Sequence, residues 1–220
     1  MKKLISFFIP KDSRLTSALR KLYYHWLPDV EENLLTILEE KVKIIDHDKF
    51  YFVQVGAHDG NYDDPIVRIR NGHHHWRGIL IEPQPDVFRK LKENLPSSSR
   101  LRLMNCAVSD HDGVQTLYKI SFSESEWATG LSSFKKESIV RSIENGYIDR
   151  MAKENHEVVP SKASDYISEV SVNTISFPNL VAQFESATDM ILVDTEGYDF
   201  VVVNKLLDLG VKPSIWWFEF

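Results

Sequence analysis

The chain has 220 residues, 43% hydrophobic and 26% charged, which suits one α/β domain with an N-terminal extension and excludes a disordered composition. A formal net charge of −6 and a pI near 5.8 argue against a broad nucleic-acid footprint, which needs basic surface. Cys106 is the single cysteine, so neither an internal disulfide nor a multi-cysteine metal site can form, and a reducing, cytoplasmic setting is expected.

The opening residues, MKKLISFFIP, carry the lysines and apolar positions of a signal peptide. The apolar run from Leu4 to Ile9 is too short, and Arg14, Arg20 and Lys21 follow where a small-residue cleavage site belongs. No stretch approaches the ~20 apolar residues of a membrane helix, so no integral membrane segment is expected. Residues 1–27 mix basic and aromatic positions and read as one irregular helix covering the domain. Asp29 opens a better helix, with Glu32 placed for a capping box. Leu34, Leu38, Val42 and Ile45 give it one apolar face. Residues 1–49 therefore read as a helical extension ahead of a domain spanning 50–220.

Phe50 to Gly60 reads FYFVQVGAHDG, an apolar run broken by Gln54 and ending in a glycine-rich turn. The run predicts a strand buried on both faces, and glycines after such a strand let a ligand approach the backbone. Residues 61–70 predict the first crossover helix, starting near Asp63, Asp64 and Pro65. The histidines of NGHHHW, residues 71–76, read as a solvated turn: adjacent side chains seldom converge on one ion, and no cysteine or acidic cluster stands beside them in the sequence. No metal site is expected.

Gly78 to Ile81 predicts the second strand, ending at Glu82. A helix opened by Pro83, Gln84, Pro85 and Asp86 follows, with Phe88, Leu91 and Leu95 on one face. Glu82 lies 22 positions after Gly60, the spacing at which a β-α-β unit sets an acidic residue on ribose hydroxyls. Leu101 to Val108 predicts a third strand, and Asp112-Gly113 a turn before a weak strand over 114–120. Residues 121–156 have no clean period and read as an irregular insert shaping a substrate pocket. A short strand is expected at 157–159, and a strand edge and helix over 174–184. Met190 to Val193 predicts a buried strand ending at Asp194, then a helix with Val202, Leu206 and Leu209, and a last strand over Ser214 to Phe220. Strand–helix repeats with Gly56, Glu82 and Asp194 at strand ends predict a mainly parallel sheet binding its ligand along that edge.

The segments VQVGAHDG, WRGILIEPQPDVFRKLKENL, NCAVSD, GLSSF, ILVDTEGYDF and PSIWWFEF, in this order over residues 50–220, resemble the FkbM family of S-adenosylmethionine-dependent methyltransferases. The resemblance implies a class I, Rossmann-like methyltransferase sheet with helices on both faces and S-adenosylmethionine as cofactor. It implies that Gly56, His58 and Gly60 form the turn under the methionine part, that Glu82 takes the ribose hydroxyls, and that Asn105, Cys106 and Ala107, with Asp110 beyond, lie near the adenine. Gln54 stands where the family most often has an acidic residue, and is left to accept a hydrogen bond from the cofactor's amino group. The family's usual C-terminal strand pair is not found before Phe220. That leaves the strand over Ser214 to Phe220 at a sheet edge, and either the chain is a fragment or a partner, such as a second copy, covers that edge.

The reaction implied is methyl transfer to a hydroxyl of a sugar, glycan or small natural product. An alcohol must lose its proton, and the candidate bases are Asp194, then Glu196, then His58. Two other readings compete. A catalytically inactive cofactor-binding module is suggested by Gln54 and the missing strands. A nicotinamide-dependent oxidoreductase is disfavoured because GAHDG lacks the G-x-G-x-x-G spacing.

Overall fold

The computed structural model describes residues 30–220 apart from 63, 65, 96–98, 186, 219 and 220. The helix expected over 1–27 and the cap at Asp29 lie outside the described residues. Helix α1 (Val30–Ile45) leads into β1 (Tyr51–Val55), α2 (Val67–Gly72), β2 (Arg77–Ile81), α3 (Pro85–Asn94) and β3 (Leu101–Met104). Strands β4 (Ala107–Ser109) and β5 (Gly113–Ile120) follow, then three short helices, α4 (Glu126–Thr129), α5 (Lys136–Glu144) and α6 (Tyr147–Glu154). Strand β6 (Ile167–Ser176), α7 (Phe177–Val181), β7 (Met190–Val193), α8 (Asp199–Asp208) and β8 (Ile215–Phe218) complete the chain order.

Two sheets result. The larger runs β3-β2-β1-β7-β8, with every pair parallel. All five residues of β1 and all four of β7 are buried, as a strand covered on both faces requires. Tyr51, Val53 and Val55 face one cluster with α7 and α8. Phe52 faces the other, with α1, α2 and α3. Helices thus cover both faces, and the chain winds out to β3 and returns on the other side of β1. The crevice between β1 and β7 is where such sheets bind ligands.

The smaller sheet, β4-β6-β5, departs from expectation. The single strand predicted over 101–108 is broken at Asn105. Its side-chain amide donates to the carbonyls of Glu82 (2.9 Å) and Pro83 (3.1 Å), ending the ladder with β2, and the chain crosses to a second sheet. Strand β6, ten residues long, is the partner of both β4 and β5. The sequence reading found only its last residues. No strand forms at 157–159. The insert is helical, its core built from Ile120, Trp127, Ile139, Ile148 and Tyr166.

Smaller corrections have local causes. Helix α2 starts at Val67, and Asp64 Oδ1 accepts the Ile66 N–H just ahead of it at 2.9 Å. Leu209 is exposed, and Val202, Val203 and Leu206 form the buried face of α8. Among the described residues β8 pairs with β7 alone, yet all four of its side chains are buried by this chain.

Candidate active site

The parallel register sets Val55 beside Ile81 on one side and Val193 on the other. The residues that follow, Gly56, Glu82 and Asp194, therefore leave the sheet at one level. Gly56 has φ +83°, and a Cβ built there would stand 1.7 Å from the Asp194 carbonyl oxygen. Only glycine lets the turn after β1 pass so close to the turn after β7. Gly60, also left-handed, does a different job. Its missing Cβ makes room for Leu91 of α3, and its carbonyl accepts from buried Arg70 at 2.8 Å.

Between these glycines, His58 takes the left-handed region at φ 47°. Its N–H donates to Glu82 Oε2 at 3.0 Å, and Gln84 N–H donates to Glu82 Oε1 at 2.9 Å. Glu82 is thus pinned at both oxygens, each keeping a second acceptor site. Burial pushes its carboxyl up to about 7, against the pull of the Gln84 and His58 bonds and with the Asp194 charge adding to the rise. Burial lowers the His58 pKa despite neighbouring Asp59. The His58 ring bonds Thr129 Oγ1 through Nε2 at 2.8 Å, while Nδ1 lies 3.5 Å from Asp59, too far for a good hydrogen bond. Asp59 is held below its usual range: burial opposes the charge, but the N–H groups of Tyr62 and Asn61 outweigh it.

The turn after β7 is tied by Asp199, which accepts the N–H groups of Thr195 and Gly197 at 3.0 Å each. Burial, then the Asp194 charge, raises the Asp199 carboxyl. Glu196 takes φ 50°, and its carbonyl accepts from Ser133 Oγ at 3.0 Å. The insert is thereby fastened over the strand ends. Gln84 Nε2 adds two further ties, to the Thr129 carbonyl (2.8 Å) and Ser132 Oγ (3.1 Å).

A cavity opens between these turns. Gln54, Gly56, His58, Glu82, Cys106, Ala107, Asp194 and Glu196 line it. Gly60, Asn105 and Asp110 do not. Gly60 backs onto α3, Asn105 bonds backbone behind the wall, and Asp110 is exposed and paired with Lys205 at 2.8 Å. Burial pushes the Cys106 thiol up to about 11, so it offers a neutral wall and no thiolate. Four buried polar atoms of lining residues have no hydrogen-bond partner: Gln54 Oε1, His58 Nδ1, Gln84 Oε1 and Thr195 Oγ1. Buried polar groups are nearly always bonded, so the cavity wall presents four polar atoms open to water or a polar ligand.

A sequence model of the methyltransferase FkbM domain matches residues 54–216. The chain belongs to the FkbM methyltransferase family. Its large sheet is the Rossmann-like methyltransferase fold that this membership requires, and the membership implies a methyl donor. No curated protein matches the sequence. No described helix is long and apolar enough to cross a membrane.

Sequence reasoning missed several residues of this FkbM site. Gln84, Thr129, Ser133, Phe134, Thr195 and Trp217 all line the cavity. The segment GLSSF, residues 130–134, was the available signal, because it stands out within an otherwise featureless insert.

Proposed function

We propose that this chain transfers the methyl group of S-adenosylmethionine to a hydroxyl oxygen of a small-molecule or carbohydrate acceptor. The observation that carries the reading is the meeting of Gly56, Glu82 and Asp194 at one sheet edge, around a cavity whose unpartnered polar atoms suit that cofactor. Glu82 has two spare acceptor sites for a ribose diol. The unpartnered Gln54 Oε1 is an acceptor for the cofactor's amino group, and Cys106 with Ala107 offers an apolar wall for the adenine.

Bound there, the cofactor supplies a methyl group already activated on a sulfonium. The protein's part is alignment and removal of the acceptor's proton. Asp194, half-buried at the end of β7, takes that proton as the oxygen gains the methyl group. Glu196 stands second, two residues further along the same lining turn. His58 is third, because its Nε2 is committed to Thr129. The insert closes the acceptor side, with Phe134 stacked edge-on to Tyr198 at 5.8 Å.

Titration calorimetry with S-adenosylhomocysteine, with turnover on a panel of hydroxyl acceptors, tests the reading. Glu82→Ala should weaken binding about 100-fold or more through the two lost charge-assisted bonds. Asp194→Asn should bind as the native chain does and turn over about 100-fold or more slowly. A native chain that does not bind S-adenosylhomocysteine would overturn the cofactor assignment. Equal losses of binding and turnover in Asp194→Asn would remove Asp194 as the base.

A further inference from the structure

The three histidines lie on an exposed turn, as expected, but two of them also meet a carboxylate from another part of the chain. Residues 71–76 fold back on the C-terminal end of α1, where Asp46 waits. His73 Nδ1 lies 3.0 Å from Asp46 Oδ2, and His75 Nε2 lies 3.0 Å from Asp46 Oδ1. His74, between them, points to solvent. The two imidazole nitrogens and the carboxylate all lie within 4.8 Å of one another.

We propose that Asp46, His73 and His75 form a binding site for a zinc-like divalent cation, separate from the methyl-transfer cavity. The donor set is two imidazoles and one carboxylate, which suits late first-row cations better than calcium or magnesium, whose preferred ligands are oxygens. Atoms bound at 2.0–2.1 Å to a tetrahedral ion stand about 3.3 Å from one another. To admit one, the two 3.0 Å imidazole–carboxylate contacts widen slightly and the three donor atoms, now within 4.8 Å of one another, converge on the ion. Each imidazole would coordinate in its neutral form, with its proton on the other ring nitrogen. Three protein ligands leave a fourth position for water.

The site is also held from behind. Trp76 is buried, and its Nε1–H donates to Asp46 Oδ1 at 2.8 Å. The same indole stacks on His73 at 4.8 Å and on Phe50 at 4.1 Å. One core side chain therefore orients two of the three ligands, the outer support that metal sites characteristically carry. The backbone bond from Trp76 N to His73 O, 3.1 Å, closes the turn that sets His73 and His75 on one side. His47, adjacent to Asp46, is turned away to Asp189 at 3.2 Å and is not a ligand. A bound cation would clamp α1 to the loop entering β2. That links the segment ahead of the methyltransferase domain to its sheet.

The test is titration of the tag-free full chain with zinc and with cobalt, read by calorimetry and by the visible absorption of bound cobalt. One equivalent should bind with a low-symmetry cobalt spectrum, and binding should raise the unfolding temperature. His75→Ala, at an exposed position, and Asp46→Asn, which keeps an acceptor for Trp76, should each weaken zinc binding about 100-fold or more. His74→Ala, on the same turn, should bind within about twofold of the native chain. Circular dichroism confirms that each variant is folded. Absence of a one-equivalent site in the native chain would overturn the proposal. So would zinc binding that survives both ligand variants, or that His74→Ala weakens as much as they do.

Discussion

The two halves of the cavity wall are built on different principles. The strand-end half, Gly56 to Glu82 and Asp194, is set by the register of a sheet buried on both faces. Nothing there can shift without moving β1, β2 or β7. The insert half, residues 129–134, pairs its backbone with β5 at Tyr118 and Ser133 but meets the strand ends through side-chain bonds: Ser133 to the Glu196 carbonyl, Gln84 to the Thr129 carbonyl, His58 to the Thr129 hydroxyl. The first half is rigid, which suits the side proposed to hold the donor's fixed chemistry. The second can change by exchanging a few polar residues, which suits the side that chooses an acceptor.

Glycine substitutions should separate the halves most sharply. Gly56→Ala drives a Cβ into the Asp194 backbone, which cannot retreat, and should cost at least roughly 3 kcal/mol in urea unfolding or prevent folding. Gly130→Ala meets the Glu126 carbonyl at 3.3 Å and the Tyr62 ring at 4.0 Å, and should change stability by no more than about 1 kcal/mol. Similar costs at both positions would erase the distinction.

A pH series sharpens it further. Burial raises the Glu82 carboxyl to about 7. A ligand donating hydroxyls favours the carboxylate and lowers that value, so below pH 7 a proton must leave on binding. Affinity for S-adenosylhomocysteine should then weaken as pH falls below 7, by at most about tenfold per unit, and level off above it. Glu82→Gln should bind more weakly and lose this dependence. The same slope in that variant would assign it to another group.

The smallest effect belongs to the insert. Ser133→Ala removes the bond to Glu196 and the one accepted from Lys135 N–H, and should cost about 1–2 kcal/mol of stability. S-adenosylhomocysteine binding should persist while acceptor KM rises. A larger loss of cofactor affinity than of acceptor affinity would show that the halves are not independent.

The same contrast governs what could be read before the fold was known. Strands β1, β2, β7 and β8 are near-continuous apolar runs, because both faces are buried, and their terminal Gly56, Glu82 and Asp194 stand out beside them. Strand β6 escaped because few of its ten residues are buried, among them Val172, Thr174 and Ser176, two of which are polar. Helices α4, α5 and α6 are four, nine and eight residues long, too short to show a helical period. The break at Asn105 depends on carbonyls that only the fold brings near. The meeting of Asp46 with His73 and His75 is likewise a tertiary event with no local signature.

The order of the large sheet also has a consequence for how the protein is made. Its central pairing, Val53 with Ile191, joins residues 138 positions apart. On the ribosome, β1 and β2 can form a parallel pair early, but one edge of β1 stays open until β7 has emerged. Closing so long a loop is entropically slow, and an apolar edge exposed for that interval invites wrong partners. The crevice proposed to receive the methyl donor is that same seam, so it is completed late, when the two distant parts of the chain meet.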